Sequence, residues 1–265
     1  MKITVFTNNQ PRHIALIEAL SDIADEVFAI QECSTVFPGE IADFFQKSEI
    51  MQKYFAHVIS AEEQVFGDVR FLPKNVRSIS IKSEDLSMVP LEKFGPALSS
   101  DYYIVFGSSF IKGPLIDFLV DNSAINIHMG VSPYYRGSSC NFWALYDGNP
   151  DLVGATIHML SRGLDSGGIL FHAMPEKGKH DPFVFGMNAV RAAHESVVKA
   201  IKAGTLFSSE PLAQDSSDEI RYTRNSEFTD EIAAEYLKIK LSPAGLEEKL
   251  NCSSKHLLYN HHELG

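Results

Sequence analysis

Asn126 and His128 stand two residues apart at the end of an apolar, β-branched stretch, AINIHMG (124–130). In a strand, that spacing sends both side chains to one side of the sheet, at its carboxyl edge. Open α/β sheets bind their ligands along that edge. A loop, MGVSPYYRGSS (129–139), follows with Pro133, Arg136 and Gly137, and it is too polar to close a core. Asp165 lies in a glycine-bracketed loop, SRGLDSGG (161–168), directly after another predicted strand, GATIHML (154–160). If the two strands are neighbours, the loop trailing the second reaches the same edge and Asp165 faces His128. An amide, an imidazole and a carboxylate gathered there suit acyl-group chemistry. The amide can donate to a carbonyl oxygen that becomes an oxyanion. The imidazole can shuttle a proton to or from an amine, and the carboxylate can orient it and favour its cation. A strand-end Asn or His on its own more often caps or packs, so the weight rests on the three together.

Other chemistries lack their signatures. After the first predicted strand the chain reads FTNNQPRH (6–13), with no G-x-G-x-x-G for a dinucleotide. No phosphate-cradling G-x-x-x-x-G-K-[ST], no G-x-S-x-G elbow and no H-E-x-x-H occurs. His261-His262 beside Glu263 reads as a solvated polar tail rather than a metal site. The net charge of −11, from 34 acids against 23 bases, argues against non-specific binding to nucleic acid or anionic membranes. A small anionic ligand needs only a local basic pocket and stays open. The cysteines, Cys33, Cys140 and Cys252, are odd in number and widely spaced, which fits a reducing compartment better than a disulfide framework. The opening MKITVFT is too short for a signal peptide, and no apolar run approaches the ~18 residues that span a bilayer. The Asn251-Cys252-Ser253 sequon has no export signal to give it meaning. A soluble, cytoplasmic protein is expected.

The elements that must position these residues follow from periodicity. A length of 265 residues suggests one large domain, or one with an appendage, at roughly 100–200 residues each. KITVFT (2–7) and EVFAI (26–30) read as strands flanking a helix over 12–24, with Ile14, Leu16, Ile17, Leu20 and Ile23 at helical spacing. That βαβ unit implies a parallel sheet covered on both faces. DYYIVFG (101–107) is a further strand, followed by a helix over 114–120. NFWALYDG (141–148) reads as a short helix ended by Gly148. The clearest helix spans 183–203, with Val184, Met187, Val190, Val197, Val198 and Ile201 on one stripe and Gly204 past its end. Residues 37–67 read as helical without definite boundaries, and 68–100 mix an alternating stretch, VRSISI (76–81), with turn residues. From 205 the chain turns polar, then offers a short strand, a cap at Thr229 or Asp230, and a helix. The expectation is an α/β chain: a Rossmann-like, mostly parallel sheet with helices on both faces over 1–204, and a short α+β extension over 205–265.

NIHMGVSPYYRG (126–137) resembles the N-I-H-x-S-L-L-P-x-Y-R-G signature of the folate-dependent formyltransferases. GATIHMLSRGLDSGGIL (154–170) resembles their G-x-T-x-H-x-x-x-x-x-(I/V/L)-D-x-G-x-I-(I/L) segment. Both match without insertions, in the family's order and separation. The likeness covers residues 100–205 well and the first βαβ unit loosely. It departs at Gly130, Val131 and Ser132, where the family has Ser-Leu-Leu. The resemblance implies transfer of a formyl group from N10-formyltetrahydrofolate to an amine. By position, Asn126 and His128 would stabilise the oxyanion, and Asp165 would assist proton transfer, directly or through a water. Ser108, Ser109, Phe110 and Ile111, with Ser161 and Gly163, would hold the pterin ring largely through backbone groups. His158 would support the site. Tyr135, Arg136 and Arg12 are candidates for substrate contact, the first two equally for loop scaffold.

The resemblance also bears on which amine is formylated. The methionyl-tRNA enzyme of the family carries a C-terminal β-barrel, whereas about sixty residues without alternating strands follow Gly204 here. The glycinamide ribonucleotide enzyme binds phosphate on a G-x-G-S-N loop, where this chain has Thr7-Asn8-Asn9-Gln10-Pro11-Arg12. The formyltetrahydrofolate hydrolases carry an N-terminal regulatory domain with no counterpart in this sequence. The expectation is a sugar N-formyltransferase acting on a nucleotide-linked amino sugar in the synthesis of surface polysaccharide such as O-antigen lipopolysaccharide. RYTRNSEFT (221–229) resembles a strand–turn piece of several members, and Arg12, Arg136, Arg221 or Arg224 could meet a diphosphate. The alternatives are glycinamide ribonucleotide or another small amine as acceptor, a formyltetrahydrofolate hydrolase, or a binding module without catalysis. The last has no need of an intact trio. An apolar helical face, Ile232, Ala233, Tyr236 and Leu237, could pack in cis or serve a homodimer.

Overall fold

In β1 (Lys2–Asn8), Ile3 and Val5 alternate with Thr4 and Phe6 and all four are buried, so the strand is covered on both faces. The chain continues through α1 (Pro11–Ser21), with Pro at its start, to β2 (Glu26–Cys33), which pairs parallel with β1. This is the βαβ unit that the periodicity predicts. The computed structural model describes residues 1–33 and 44–252 and the backbone of 262–263. The predicted pair His261-His262 therefore lies outside the described residues, apart from the backbone of His262. So does the first part of the helical reading over 37–67. The rest of that reading is α2 (Glu49–Phe66), capped by Ser48.

The chain then forms β3 (Val76–Lys82), β4 (Tyr102–Val105), α3 (Gly113–Asp121), β5 (Ile125–His128), β6 (Tyr135–Gly137), α4 (Cys140–Tyr146), β7 (Ala155–Met159), β8 (Ile169–Met174) and α5 (Pro182–Ala203). β9 (Arg221–Thr223), α6 (Asp230–Ile239), α7 (Pro243–Cys252) and β10 (His262–Glu263) complete it. Eight strands make the main sheet in the order β10-β8-β7-β5-β4-β1-β2-β3, and β6 pairs with β9 apart from it. Within the main sheet β7 alone runs against its neighbours. Strand order reverses between β1 and β4. The carboxyl ends of the strands around that reversal are the natural ligand crevice of such a sheet.

One face of the sheet (Ile3, Val5, Ile104, Ile125, Ile127) packs on Leu16, Ile17 and Leu20 of α1 and on Val190, Ala193 and Val197 of α5. The other (Phe6, Phe28, Tyr103, Val105) packs on Leu115 and Leu119 of α3. The helix over 183–203 ends as predicted at Gly204, φ +68°, and starts with an Asp181 cap and Pro182. A third apolar cluster joins α2, α4 and the start of α5 to α6 and α7 through Tyr54, Phe142, Trp143, Phe183, Tyr236 and Leu246. Each such buried side chain contributes about 1.5–3 kcal/mol. α6 and α7 are thus fastened to the rest by apolar packing, and Ala233 and Tyr236 are buried within the chain.

His13 of α1 and His194 of α5 flank Phe106, with ring centroids 4.8 and 5.0 Å from it. Both are buried. Burial, reinforced by the neighbouring Arg12 charge, pushes the His194 pKa down to about 3 and that of His13 well below the usual histidine range. Both are neutral in the fold, whereas the unfolded chain protonates them below about pH 6.5. Their contribution is therefore intact above that pH and is lost as pH falls toward the folded value. Between pH 7 and pH 5 the loss from His194 alone is about 2 kcal/mol, at about 1.4 kcal/mol per unit. Urea unfolding of His194→Phe, which keeps an aromatic ring in the same apolar site, is expected to lose that much less over the same interval. Equal losses in both proteins would remove His194 as the cause.

Candidate active site

A cleft of about 290 Å³ opens at the carboxyl ends of β4 and β5. Asn126 and His128 line it. Because Ile125 and Ile127 face α1 and α5, the alternation of β5 sends Asn126 and His128 to the opposite side, as the sequence predicts. His158 of β7 pairs with Asn126 across the strands and lines the same cleft.

Asp165 reaches the site by a different route from the one expected. β7 is antiparallel to β5, with Met159 opposite Ile125, so its trailing loop leaves from the amino end of β5. The loop then doubles back along the face of the sheet, with Asp165 at φ +44°. Gly167 permits the return, since a Cβ there would stand 1.7 Å from the Met159 carbonyl oxygen. Gln214 clamps the loop from outside, its Nε2 donating to the carbonyls of Asp165 and Gly167 at 2.8 Å each. The expected encounter is present: Asp165 Oδ2 lies 3.2 Å from His128 Nδ1, and Asp165 Oδ1 accepts from Asn126 Nδ2 at 3.0 Å.

The proton positions follow from the partners. His158 Nδ1 is 2.9 Å from the Met159 carbonyl, so it carries the proton and Nε2 accepts the second Asn126 amide hydrogen at 3.1 Å. His158 is thus the support expected of it. Burial pushes the Asp165 carboxyl up, but His128 and then His158 outweigh this and hold it far below the usual carboxylate range. Burial likewise disfavours the His128 cation, yet Cys140 and Asp165 together hold its pKa well above the usual histidine value. The pairing thus favours the charged form of both His128 and Asp165 at the floor of the cleft.

The six residues expected around a pterin, Ser108, Ser109, Phe110, Ile111, Ser161 and Gly163, all line this cleft. Ser109 among them is held by Glu32, a buried carboxylate near the end of β2 that accepts from Ser109 N at 2.5 Å and Ser109 Oγ at 2.8 Å. Just before them Gly107, at φ +67°, passes so close to His13 that a Cβ would stand 2.5 Å from its Nε2. The expected substrate contacts fare differently. Tyr135 is turned into the interior, where its hydroxyl donates to Asp147 Oδ2 at 3.1 Å and accepts from Asn149 Nδ2 at 2.8 Å, so it is scaffold. Arg221 clasps Asp147 with two nitrogens and lies over the Trp143 ring. Arg136 is paired with Glu219 at 3.2 Å. Arg12 is paired with the buried Glu62 at 2.8 Å, at the wall of a second cavity. That cavity, of about 190 Å³, is lined by Tyr54, Phe142, Phe183 and Tyr236 and shares Met129 with the cleft. The Tyr54 and Tyr236 hydroxyls make no hydrogen bond to any described residue. Sequence reasoning missed Cys140, Glu32 and Gln214; the one signal available was a charged residue inside the apolar run EVFAIQEC.

Comparison with known proteins shows the family of the chain. Residues 58–201 match the family model described as formyl transferase. The match takes in more than half of the chain, including Asn126, His128, Asp165 and the whole 108–111 loop, and the chain belongs to this family. A methionyl-tRNA formyltransferase of Anaeromyxobacter dehalogenans is 29% identical over 125 residues, 46% of this chain and 39% of that protein. The chain spans between about a quarter and two fifths of the length of the curated relatives it matches. Among solved structures, an N-formyltransferase from Helicobacter canadensis, in complex with folinic acid and dTDP-3-aminofucose, superposes with TM-score 0.51 at 15% identity, over 88% of this chain and 78% of that one. A phosphoribosylglycinamide formyltransferase from Anaplasma phagocytophilum superposes with TM-score 0.50 at 17% identity, over 84% and 97%. At those identities the superpositions speak to fold. Among the described residues no helix is long and apolar enough to cross a membrane, and no group of three or more His, Cys, Asp or Glu residues could hold a metal ion.

Proposed function

We propose that this chain transfers a formyl group from N10-formyltetrahydrofolate to the amine of a nucleotide-linked amino sugar. The observation that carries the reading is the ion pair of His128 and Asp165, with Asn126, at the floor of a cleft whose walls suit a pterin. Val105, Ile111, Ile116, Leu160 and Leu164 give those walls apolar surface, and the 107–110 and 161–164 segments bring backbone groups to them. The folate, when bound, supplies the formyl carbon that an amine can attack. Asn126 donates one amide hydrogen to the charged Asp165 and the other to His158 Nε2, so the amide reaches a formyl oxygen by exchanging one of these partners as negative charge develops there. Both nitrogens of His128 are engaged, so the ring acts as a fixed positive charge beside that oxygen. Asp165 keeps the charge on His128, and its low affinity for protons means that a proton leaving the amine passes on, through water or to the departing nitrogen.

The cavity across Met129 supports an acceptor with a ring to bury. Four aromatic side chains and two phenolic hydroxyls without partners among the described residues suit a sugar or base, which offers both flat apolar surface and hydroxyl or carbonyl groups. Titration with the unreactive 5-formyl-tetrahydrofolate tests the donor half: saturable binding that competes with the N10-formyl donor is expected, and no binding would overturn the assignment of the cleft. Glycinamide ribonucleotide tests the acceptor half. It is expected to be refused, because no glycine-rich phosphate loop follows β1; its efficient formylation would replace the sugar reading.

A further inference from the structure

Cys140 opens α4 with its sulfur 3.5 Å from His128 Nε2 and 3.4 Å from the Gly137 carbonyl oxygen. It is buried. The room for it comes from Gly130, where a Cβ would stand 2.5 Å from Cys140 Cβ and 2.9 Å from His128 Nε2. The departure at position 130 and the thiol at 140 are thus one arrangement: an atom is removed from the loop where the sulfur meets the imidazole.

Three titratable groups face His128 among the described residues: Asp165 on Nδ1, Cys140 on Nε2, and the His158 ring with its centroid 6.4 Å away. The hydrogens then close. One placement satisfies all three groups with a neutral thiol: Nδ1–H on Asp165, the Cys140 S–H on the Gly137 carbonyl, and Nε2–H on the sulfur lone pairs. A doubly protonated ring has a partner for each N–H in a buried place, where an unmet donor would cost it the charge.

We propose that Cys140 is a positioning residue for the reaction: its sulfur receives Nε2–H of His128, fixes the plane of the ring and holds it as the imidazolium. The kinetic half of this proposal rests on the formyl-transfer reading; the structural half does not. The test is a 15N NMR titration of the imidazole, assigned by the signal absent from His128→Asn, beside the pH profile of turnover. In Cys140→Ala both the ring titration and the alkaline limb of activity are expected to move down by about one pH unit, the size of one hydrogen bond to a charged group. Cys140→Ser, which restores an acceptor, is expected to stay near the wild type. If Cys140→Ala does not fold, Cys140→Val against Cys140→Thr gives the same comparison between side chains of one shape. A ring titration unchanged without the acceptor, or one moved as far by Ser as by Ala, would overturn the proposal. A shifted ring in a protein that transfers no formyl group would uphold the placement of His128 and remove the reaction assigned to it.

Discussion

Replacing His128 with alanine lowers formyl-transfer turnover at least about 10²-fold, the loss that follows removal of one preorganised charge or donor from an oxyanion site. The expectation rests on burial and pairing. A charge at the floor of the cleft, fixed by Asp165 at 3.2 Å, needs no reorganisation when negative charge appears beside it. Folate binding should change far less, since the cleft wall is largely apolar surface and backbone. Asp165→Asn is the companion variant. It keeps the shape but removes the negative partner, so the His128 pKa falls. Wild-type turnover should persist above the usual histidine range and decline only at alkaline pH, whereas the Asp165→Asn limb lies at lower pH. Near-normal turnover in His128→Ala, or coincident limbs in the two proteins, would exclude this role for the pair.

Gly167→Ala should be nearly as damaging, although residue 167 touches no reacting atom. The added Cβ would collide with the Met159 carbonyl, 1.7 Å away and fixed in the β7–β8 hairpin, so the backbone of the 161–168 loop must move. That motion carries Asp165 away from His128. A loss of about 2 kcal/mol or more in urea unfolding is expected, together with a fall in turnover comparable to Asp165→Asn. Gly163→Ala in the same loop is the control. Its Cβ would meet only the Ser166 side chain, whose hydroxyl is able to rotate away, and a much smaller change in stability is expected. Equal behaviour of the two alanine variants would show that the loop is not held by the Gly167 approach.

These two cases also show where sequence reading reached its limit. The first βαβ unit, the helix over 183–203 and the placement of Asn126 and His128 on one side of β5 are local properties, set by alternation and capping within a few residues. The direction of β7 is not. GATIHML alternates identically whether it runs with β5 or against it, so Asp165 could be assigned to the right partner by the wrong path. Cys140, Glu32 and Gln214 were hidden for a related reason: each meets the site across 12, 77 or 47–49 residues of chain, at distances no local pattern encodes. Three of the four arginines offered for a diphosphate carry acidic partners that the sequence does not reveal. Their acidic partners, Glu62 for Arg12, Glu219 for Arg136 and Asp147 for Arg221, become visible only when distant segments meet. The 205–265 extension illustrates the converse. Its polar start gives no local sign of a role at the site, yet through Gln214 it holds the loop that carries Asp165.

The most direct measurement is incubation with N10-formyltetrahydrofolate and a panel of nucleotide-linked 3-amino and 4-amino sugars, with mass spectrometry of the products. The account predicts an acceptor heavier by one formyl group, formed by the wild type and strongly reduced in His128→Ala. Release of formate with every acceptor unchanged would contradict it, and would make water the nucleophile in this site.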